Sequence, residues 1–89
     1  MNLYEKTYNI TLKNEQESGE GLFIAGLFIN TDLTFFGDPC LDIENVNGGN
    51  AFLSDCEDLI NYLETVNIDV EAFTASIDKL TKEGRKNNV

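Results

Sequence analysis

The chain has 89 residues, of which 16 are Asp or Glu, 6 are Lys or Arg and none is His, giving a formal net charge of −10. That balance excludes direct binding to DNA, RNA or anionic lipid, which needs a basic footprint. The missing imidazole excludes Ser-His and Cys-His nucleophile pairs and removes the commonest metal ligand.

The charge is unevenly spread. From Asn14 to Asp78 there is no Lys or Arg, while 14 of the 16 acids lie in that span; the bases Lys6, Lys13, Lys79, Lys82, Arg85 and Lys86 flank it. High net charge favours disorder, but 42% of residues are apolar, six Phe and three Tyr among them, and they fall in periodic runs that predict one folded domain. No stretch approaches the roughly 18 apolar residues of a membrane span, and "MNLYEKTYN" lacks the regions of a signal peptide. A cytoplasmic protein is the expectation. Asn9-Ile10-Thr11 fits a glycosylation sequon, which without a secretion signal reads as a chance match.

In "LYEKTYNITLK", Tyr4, Tyr8, Ile10 and Leu12 alternate with polar residues, which predicts a half-buried strand. "NEQESGEG" reads as an acidic loop. "GLFIAGLFIN" then predicts a central strand, with Gly21 and Gly26 marking a bulge or bend. Asn30, Thr31 and Asp32 supply turn residues before "LTFF", so residues 21–36 read as a β-hairpin. Gly37-Asp38-Pro39 breaks the run. "CLDIENV" alternates, Leu41 and Ile43 on one face and Asp42 and Glu44 on the other, as a short extra strand or a continuation of the third. "NGGN" marks the end of the β part.

Ser54-x-x-Glu57 fits a capping box at the start of a helix whose apolar stripe is Leu59, Ile60, Leu63 and Val66. Asp69 can cap a second helix carrying Val70, Phe73, Ile77 and Leu80, with Gly84 as its terminator. The expected fold is α+β: a three- or four-stranded antiparallel sheet followed by two helices packed on one face. Residues 1–84 form the domain and 85–89 a frayed basic tail. The expected core is Tyr8, Ile10, Leu22, Ile24, Phe28, Phe35, Leu59, Leu63, Phe73 and Ile77.

Chemistry-bearing patterns are sparse. Cys40 and Cys56 are two where a structural zinc site wants four Cys or His ligands, and in a cytosolic chain they read as free thiols rather than a disulfide. "DIENVNGGN" fails the calcium-loop pattern in either register of its glycines. There is no GxxxxGK[ST] or GxGxxG. Asp42 and Glu44 could pair as glycosidase-type carboxylates, but so short a chain leaves little room for a cleft. No enzyme activity, cofactor or metal is expected.

The acidic surface remains. The ordinary meaning of a charge run is a solvated face kept acidic for solubility. Its spacing points further: successive outward residues on a strand, Asp42 and Glu44, lie about 6.6 Å apart, and helix neighbours three or four apart lie about 5–6 Å apart, of the order of phosphate separations along nucleic acid. Asp38, Asp42, Glu44, Asp55, Glu57, Asp58, Tyr62 and Glu64 are therefore the candidate partner-binding residues.

In size, acidity, absence of His, absence of catalytic motifs and β-then-α layout, the chain resembles the small acidic inhibitors encoded by phages and mobile elements, among them anti-CRISPR, anti-restriction and other DNA-mimic proteins. The resemblance covers the whole chain as a format and no diagnostic motif, so no residue's role carries over with it. It implies a protein that binds a basic, nucleic-acid-processing enzyme and occupies the site meant for DNA or RNA. An immunity protein or antitoxin that neutralises a basic nuclease toxin has the same physics. A structural subunit that self-associates as a homodimer through the Gly21–Asn30 strand is a third reading.

Self-repulsion among the acids works against a compact state, and salt screens it. The melting temperature is expected to rise when NaCl is added at pH 7; a fall would show that favourable ion pairs, not repulsion, dominate.

Overall fold

The computed structural model describes residues 1–33 and 37–86, with side chains described through residue 82. Helix α1 spans Leu3–Ser18, strands β1 to β4 span Leu22–Ile24, Leu27–Leu33, Pro39–Asn45 and Asn50–Leu53, and helices α2 and α3 span Cys56–Thr65 and Val70–Lys86. The four strands form one antiparallel sheet in the order β1-β2-β3-β4, followed by two helices. The expected α+β layout is thus present, with a helix ahead of it.

That first helix replaces the strand expected over residues 3–13. Asn2 caps it: the Asn2 side chain accepts from the Glu5 N–H at 2.8 Å, and the Glu5 carboxylate accepts from the Asn2 N–H at 3.0 Å, a reciprocal capping box. The face turned inward is Leu3, Tyr4, Thr7, Ile10 and Thr11, a helical spacing in which two positions are threonines with no exposed surface. Thr7 Oγ1 donates to the Leu3 carbonyl at 2.8 Å, so its burial leaves no orphan hydroxyl. Thr11 Oγ1 is equally buried and has no hydrogen-bond partner among the described residues. Most of the expected acidic loop is the last part of this helix, which ends at Gly19 in the left-handed region with its N–H on the Glu15 carbonyl at 2.9 Å.

The "GLFIAGLFIN" segment is a hairpin, not a single central strand. Ala25 and Gly26 both have positive φ, 54° and 76°, the combination a two-residue type I′ connection requires. The two LFI runs consequently pair with each other, Leu22 opposite Ile29, Phe23 opposite Phe28 and Ile24 opposite Leu27. Gly21 lies so close to β2 that a Cβ there would overlap the Ile29 carbonyl and the Asn30 side chain. The expected turn at residues 30–32 lies inside β2, because that strand continues to Leu33 and pairs with β3 along its whole length. Phe35 and the rest of the expected strand at 34–36 lie outside the described residues. "NGGN" does not end the β part: Gly48 and Gly49, with φ of 100° and 91°, turn the chain into β4.

Strict alternation sorts the sheet. Leu22, Leu27, Ile29, Leu41, Ile43 and Leu53 face the helices and form one core with Leu3, Tyr4, Ile10, Leu59, Leu63, Phe73 and Ile77. Tyr8 and Ile24 are partly buried against it. Phe28, expected in the core, sits on the opposite side of the sheet and is only half-buried. α1 touches β1 and β2, α2 touches β4, and α3 packs across α1 and α2. The Tyr4 hydroxyl, at the start of α1, donates to the Leu53 carbonyl at 3.1 Å, and at the other end the Glu15 carboxylate accepts from Thr31 through both its N–H and its hydroxyl. The first helix is therefore fastened to the sheet at both ends.

Helix α2 begins one residue later than the capping box expects: Asp55, not Ser54, is the cap, accepting from the Asp58 N–H at 2.8 Å. It ends in a Schellman arrangement, with Asn67 in the left-handed region, the Asn67 N–H on the Glu64 carbonyl at 3.2 Å and the Ile68 N–H on the Leu63 carbonyl at 2.8 Å. Asp69 does cap α3, through the Glu71 N–H at 3.3 Å. That helix continues past Gly84 to Lys86, and the rest of the expected tail, residues 87–89, lies outside the described residues.

Leu63→Ala is expected to cost about 2–5 kcal/mol in a two-state urea titration, because Leu63 is fully enclosed. Thr11→Val should be neutral or stabilising, since it removes a buried hydroxyl whose unmet desolvation costs about 1–3 kcal/mol. A clear loss of stability in Thr11→Val would show that the hydroxyl has a partner.

Candidate functional site: the helix-free face of the sheet

The described helices pack on the side of the sheet that carries the core residues, and the other side carries the alternate residues. Cross-strand register fixes three rows there. The first runs Phe23, Phe28, Glu44, Asn50; the second runs Asn30, Asp42, Phe52; the third pairs Asp32 with Cys40. An antiparallel sheet with one solvated face ordinarily makes that face polar. Here Phe23 is 64% and Phe52 is 63% exposed, and the Phe23 and Phe28 rings tilt against each other with centroids 6.5 Å apart. Phe23 and Phe52 stand on the two outer strands of the sheet with the carboxylates of β2 and β3 between them, and exposed phenylalanines at both margins of one face mark it as a candidate interaction surface.

The carboxylates on this face are Asp32, Asp42 and Glu44. Asp42 is the inner one: Asn30 and Phe52 are directly opposite it on the neighbouring strands, and Cys40 and Glu44 are its same-face neighbours along β3. Its Oδ1 is buried and has no hydrogen-bond partner among the described residues. Burial, then the negative charges of Glu44 and Asp32, raise the Asp42 carboxyl above its ordinary value of 3.8. Cys40 is buried beside them, and the same causes, burial first and then Asp32 and Asp42, push its thiol up from 9.0, which makes it a poor nucleophile at neutral pH. Cys40 and Cys56 are both free.

The other candidate residues sit elsewhere. Asp55, Glu57, Asp58 and Glu64 belong to the start and the solvent side of α2, in the helical layer, and all four are exposed. Asp55 is occupied by capping, while Glu57 and Glu64, seven residues apart, share one helix face. Tyr62 is partly buried against the core. Asp38 is exposed just ahead of β3. The structure thus brings Asp42 and Glu44 together on the sheet and groups Glu57, Asp58 and Glu64 on α2, on the two sides of the domain. Sequence reasoning missed Phe23, Phe28 and Phe52 as surface residues; the signal for them is the period of two carried through the AG turn into "LFIN".

Among the described residues no three His, Cys, Asp or Glu side chains converge in a way that could hold a metal ion. No described helix is long and apolar enough to cross a membrane. A shallow cleft of about 150 Å³ between α1 and α3, lined by Met1, Lys6, Asn9, Ile10, Lys13 and Thr81, carries two lysines and no carboxylate, so it offers no acid-base pair.

The raised Asp42 pKa has a definite sign in stability. Its contribution to folding is fully present below the unfolded value and is lost as pH rises through the higher folded value. Asp42→Asn is therefore expected to be more stable than the parent at pH 7, with the difference closing as pH falls towards about 4. Parallel melting curves of the two proteins across that range check it; a variant less stable at pH 7 would mean that the carboxylate has a favourable partner.

No known family model, no characterised protein sequence and no solved structure matches this chain, so its function has to be argued from the residues on these two surfaces.

Proposed function

We propose that the protein is a non-enzymatic acidic binding protein that docks on the cationic, nucleic-acid-binding surface of a basic enzyme and inhibits it by taking the place of DNA or RNA. In keeping with the inhibitor class that it resembles, that enzyme would belong to a host defence system of the anti-CRISPR or anti-restriction type. The observation that carries the proposal is the near absence of charge compensation on a folded scaffold. Only two ion pairs, Lys6 with Asp78 at 3.1 Å and Lys13 with Glu17 at 4.0 Å, occur among the described residues, both on the helical side. Asp32, Asp42, Glu44, Glu57, Asp58 and Glu64 lie on strands and a helix, at spacings set by the backbone rather than by mobile loops. Each of these two groups, one on the sheet and one on α2, presents charge from regular backbone without having to order it first, which limits the entropic cost of association.

Steering by such a field acts mainly on the association rate. Competition tests the function: nucleic acid bound to the basic enzyme should be displaced as this protein is added, and excess nucleic acid should displace this protein. Glu57→Gln with Glu64→Gln should slow association and flatten its salt dependence while leaving dissociation nearly unchanged. A ternary complex in which both affinities are unaltered would rule out occupation of the nucleic-acid site.

A further inference from the structure

The helix-free sheet face contains a combination that net acidity does not explain. Solubility or nucleic-acid mimicry needs carboxylates alone, yet the most enclosed carboxylate here is set among phenylalanines. Phe52 is directly opposite Asp42, and Phe28, directly opposite Glu44, is its diagonal neighbour. Directly opposed residues in an antiparallel pair have Cβ atoms about 4.5–5.5 Å apart, and diagonal ones remain within reach of an aromatic ring. Asp42 Oδ1 lacks a hydrogen-bond partner among the described residues. Oδ1 is itself shielded from solvent, so a partner that fits must bring positive charge, two donors that reach the open Asp42 Oδ2 and the Glu44 carboxylate, and a flat apolar surface to lie on Phe52 or Phe28.

We propose that this face is a docking surface for an arginine-bearing segment of a basic protein, with a guanidinium held between Asp42 and Glu44 and stacked on Phe52. This rests on the acidic-binder function proposed above and assigns its anchor. Charge complementarity selects the occupant. A second copy of this chain would set Asp32, Asp42 and Glu44 against themselves, and an acidic peptide or nucleic acid is repelled in the same way. A lysine satisfies the charge but not the shape. Its ammonium is a strongly hydrated point charge, whereas guanidinium is planar, pairs in a fork with carboxylate and stacks on aromatic rings.

The test uses the full chain, with a short peptide of alternating Gly and Arg as probe and its Gly-Lys counterpart of equal charge as comparison. The arginine peptide is expected to bind about two- to fivefold tighter, and its amide shift perturbations in a two-dimensional NMR titration should concentrate on residues 23, 28, 30, 42, 44 and 52. Phe52→Ser should abolish the preference for arginine, and so should Asp42→Asn, which keeps the aromatic ring and controls for any loss of folding in the first variant. Glu57→Gln with Glu64→Gln should weaken both peptides alike. Equal affinities for the two peptides, perturbations centred on α2, or a preference that survives both sheet-face substitutions would overturn the proposal. Failure of the nucleic-acid competition with the arginine preference intact would overturn the inhibitory function and leave this face standing as the binding site.

Discussion

The pairing of β2 with β3 is the constraint on which the rest of the molecule depends. Along seven opposed residues, Leu27, Ile29, Leu41 and Ile43 turn one way and are fully enclosed, while Phe28, Asn30, Cys40, Asp42 and Glu44 turn the other. A slip of β3 by one residue would exchange its two faces, placing Asp42 and Glu44 in the core and, of the four enclosed aliphatic side chains, Leu41 and Ile43 in water. Burial of those four holds the register, and the register in turn holds the carboxylates and phenylalanines of the opposite face in place. The chemistry of the exposed side is a consequence of packing on the hidden one. That is why a small domain with a thin stability margin can present an ordered charged surface.

The acids divide by what they already do. Glu5, Asp55 and Asp69 accept from free N–H groups at the starts of the three helices, where the helix dipole favours negative charge. Glu15 fastens α1 to Thr31 of β2, and Asp78 and Glu17 are paired with lysines. These carboxylates serve the fold. Asp32 on the sheet face accepts only from the adjoining Leu33 N–H at 2.7 Å, while the carboxylates of Asp42 and Glu44 there, and of Glu57 and Glu64 on α2, have no such duty shown among the described residues, and Asp42 sits under conditions that oppose its charge. The fold tolerates the sheet-face acids; it is not built from them.

Legibility in the sequence followed how many independent signals agreed at each element. β3 was readable because Leu41 and Ile43 alternate with Asp42 and Glu44, and α2 and α3 because apolar spacing, acidic first turns and caps coincide. α1 resembles a strand in sequence because Tyr4, Tyr8, Ile10 and Leu12 fall at even positions, while its inward face includes Thr7 and Thr11, which a hydropathy pattern scores as polar. The capping box from Asn2 to Glu5 was the local sign of a helix there. The AG turn lacks the Asn-Gly or Asp-Gly signature, so two short strands read as one and the pattern alone turns Phe28 inward. Of the candidate site, the outward pair on β3 was legible from one strand alone. Its aromatic frame was not, because opposing Phe52 to Asp42 requires the β3-β4 register, and nothing local to either strand specifies it.

Two kinds of negative surface on one small domain raise the question of how they would divide the work of binding. Long-range attraction sums over every charge within about a Debye length, 8–10 Å at ordinary ionic strength, so the carboxylates of α2 and of the sheet both contribute to it whatever their exact placement. Persistence of a complex depends instead on a few desolvated anchors at its centre. Of the two surfaces, only the sheet face adds exposed aromatic rings to its carboxylates, and only there does a carboxylate oxygen already lie shielded from water without a partner among the described residues. Part of the desolvation that binding would require at Asp42, that of Oδ1, has thus been met during folding, offset by the burial of Leu41 and Ile43 on either side of it in the strand. A cation arriving there meets a carboxylate with one oxygen already out of water, whereas Glu57 and Glu64 are exposed. The physical difference between the two surfaces is therefore one of preorganisation rather than of charge.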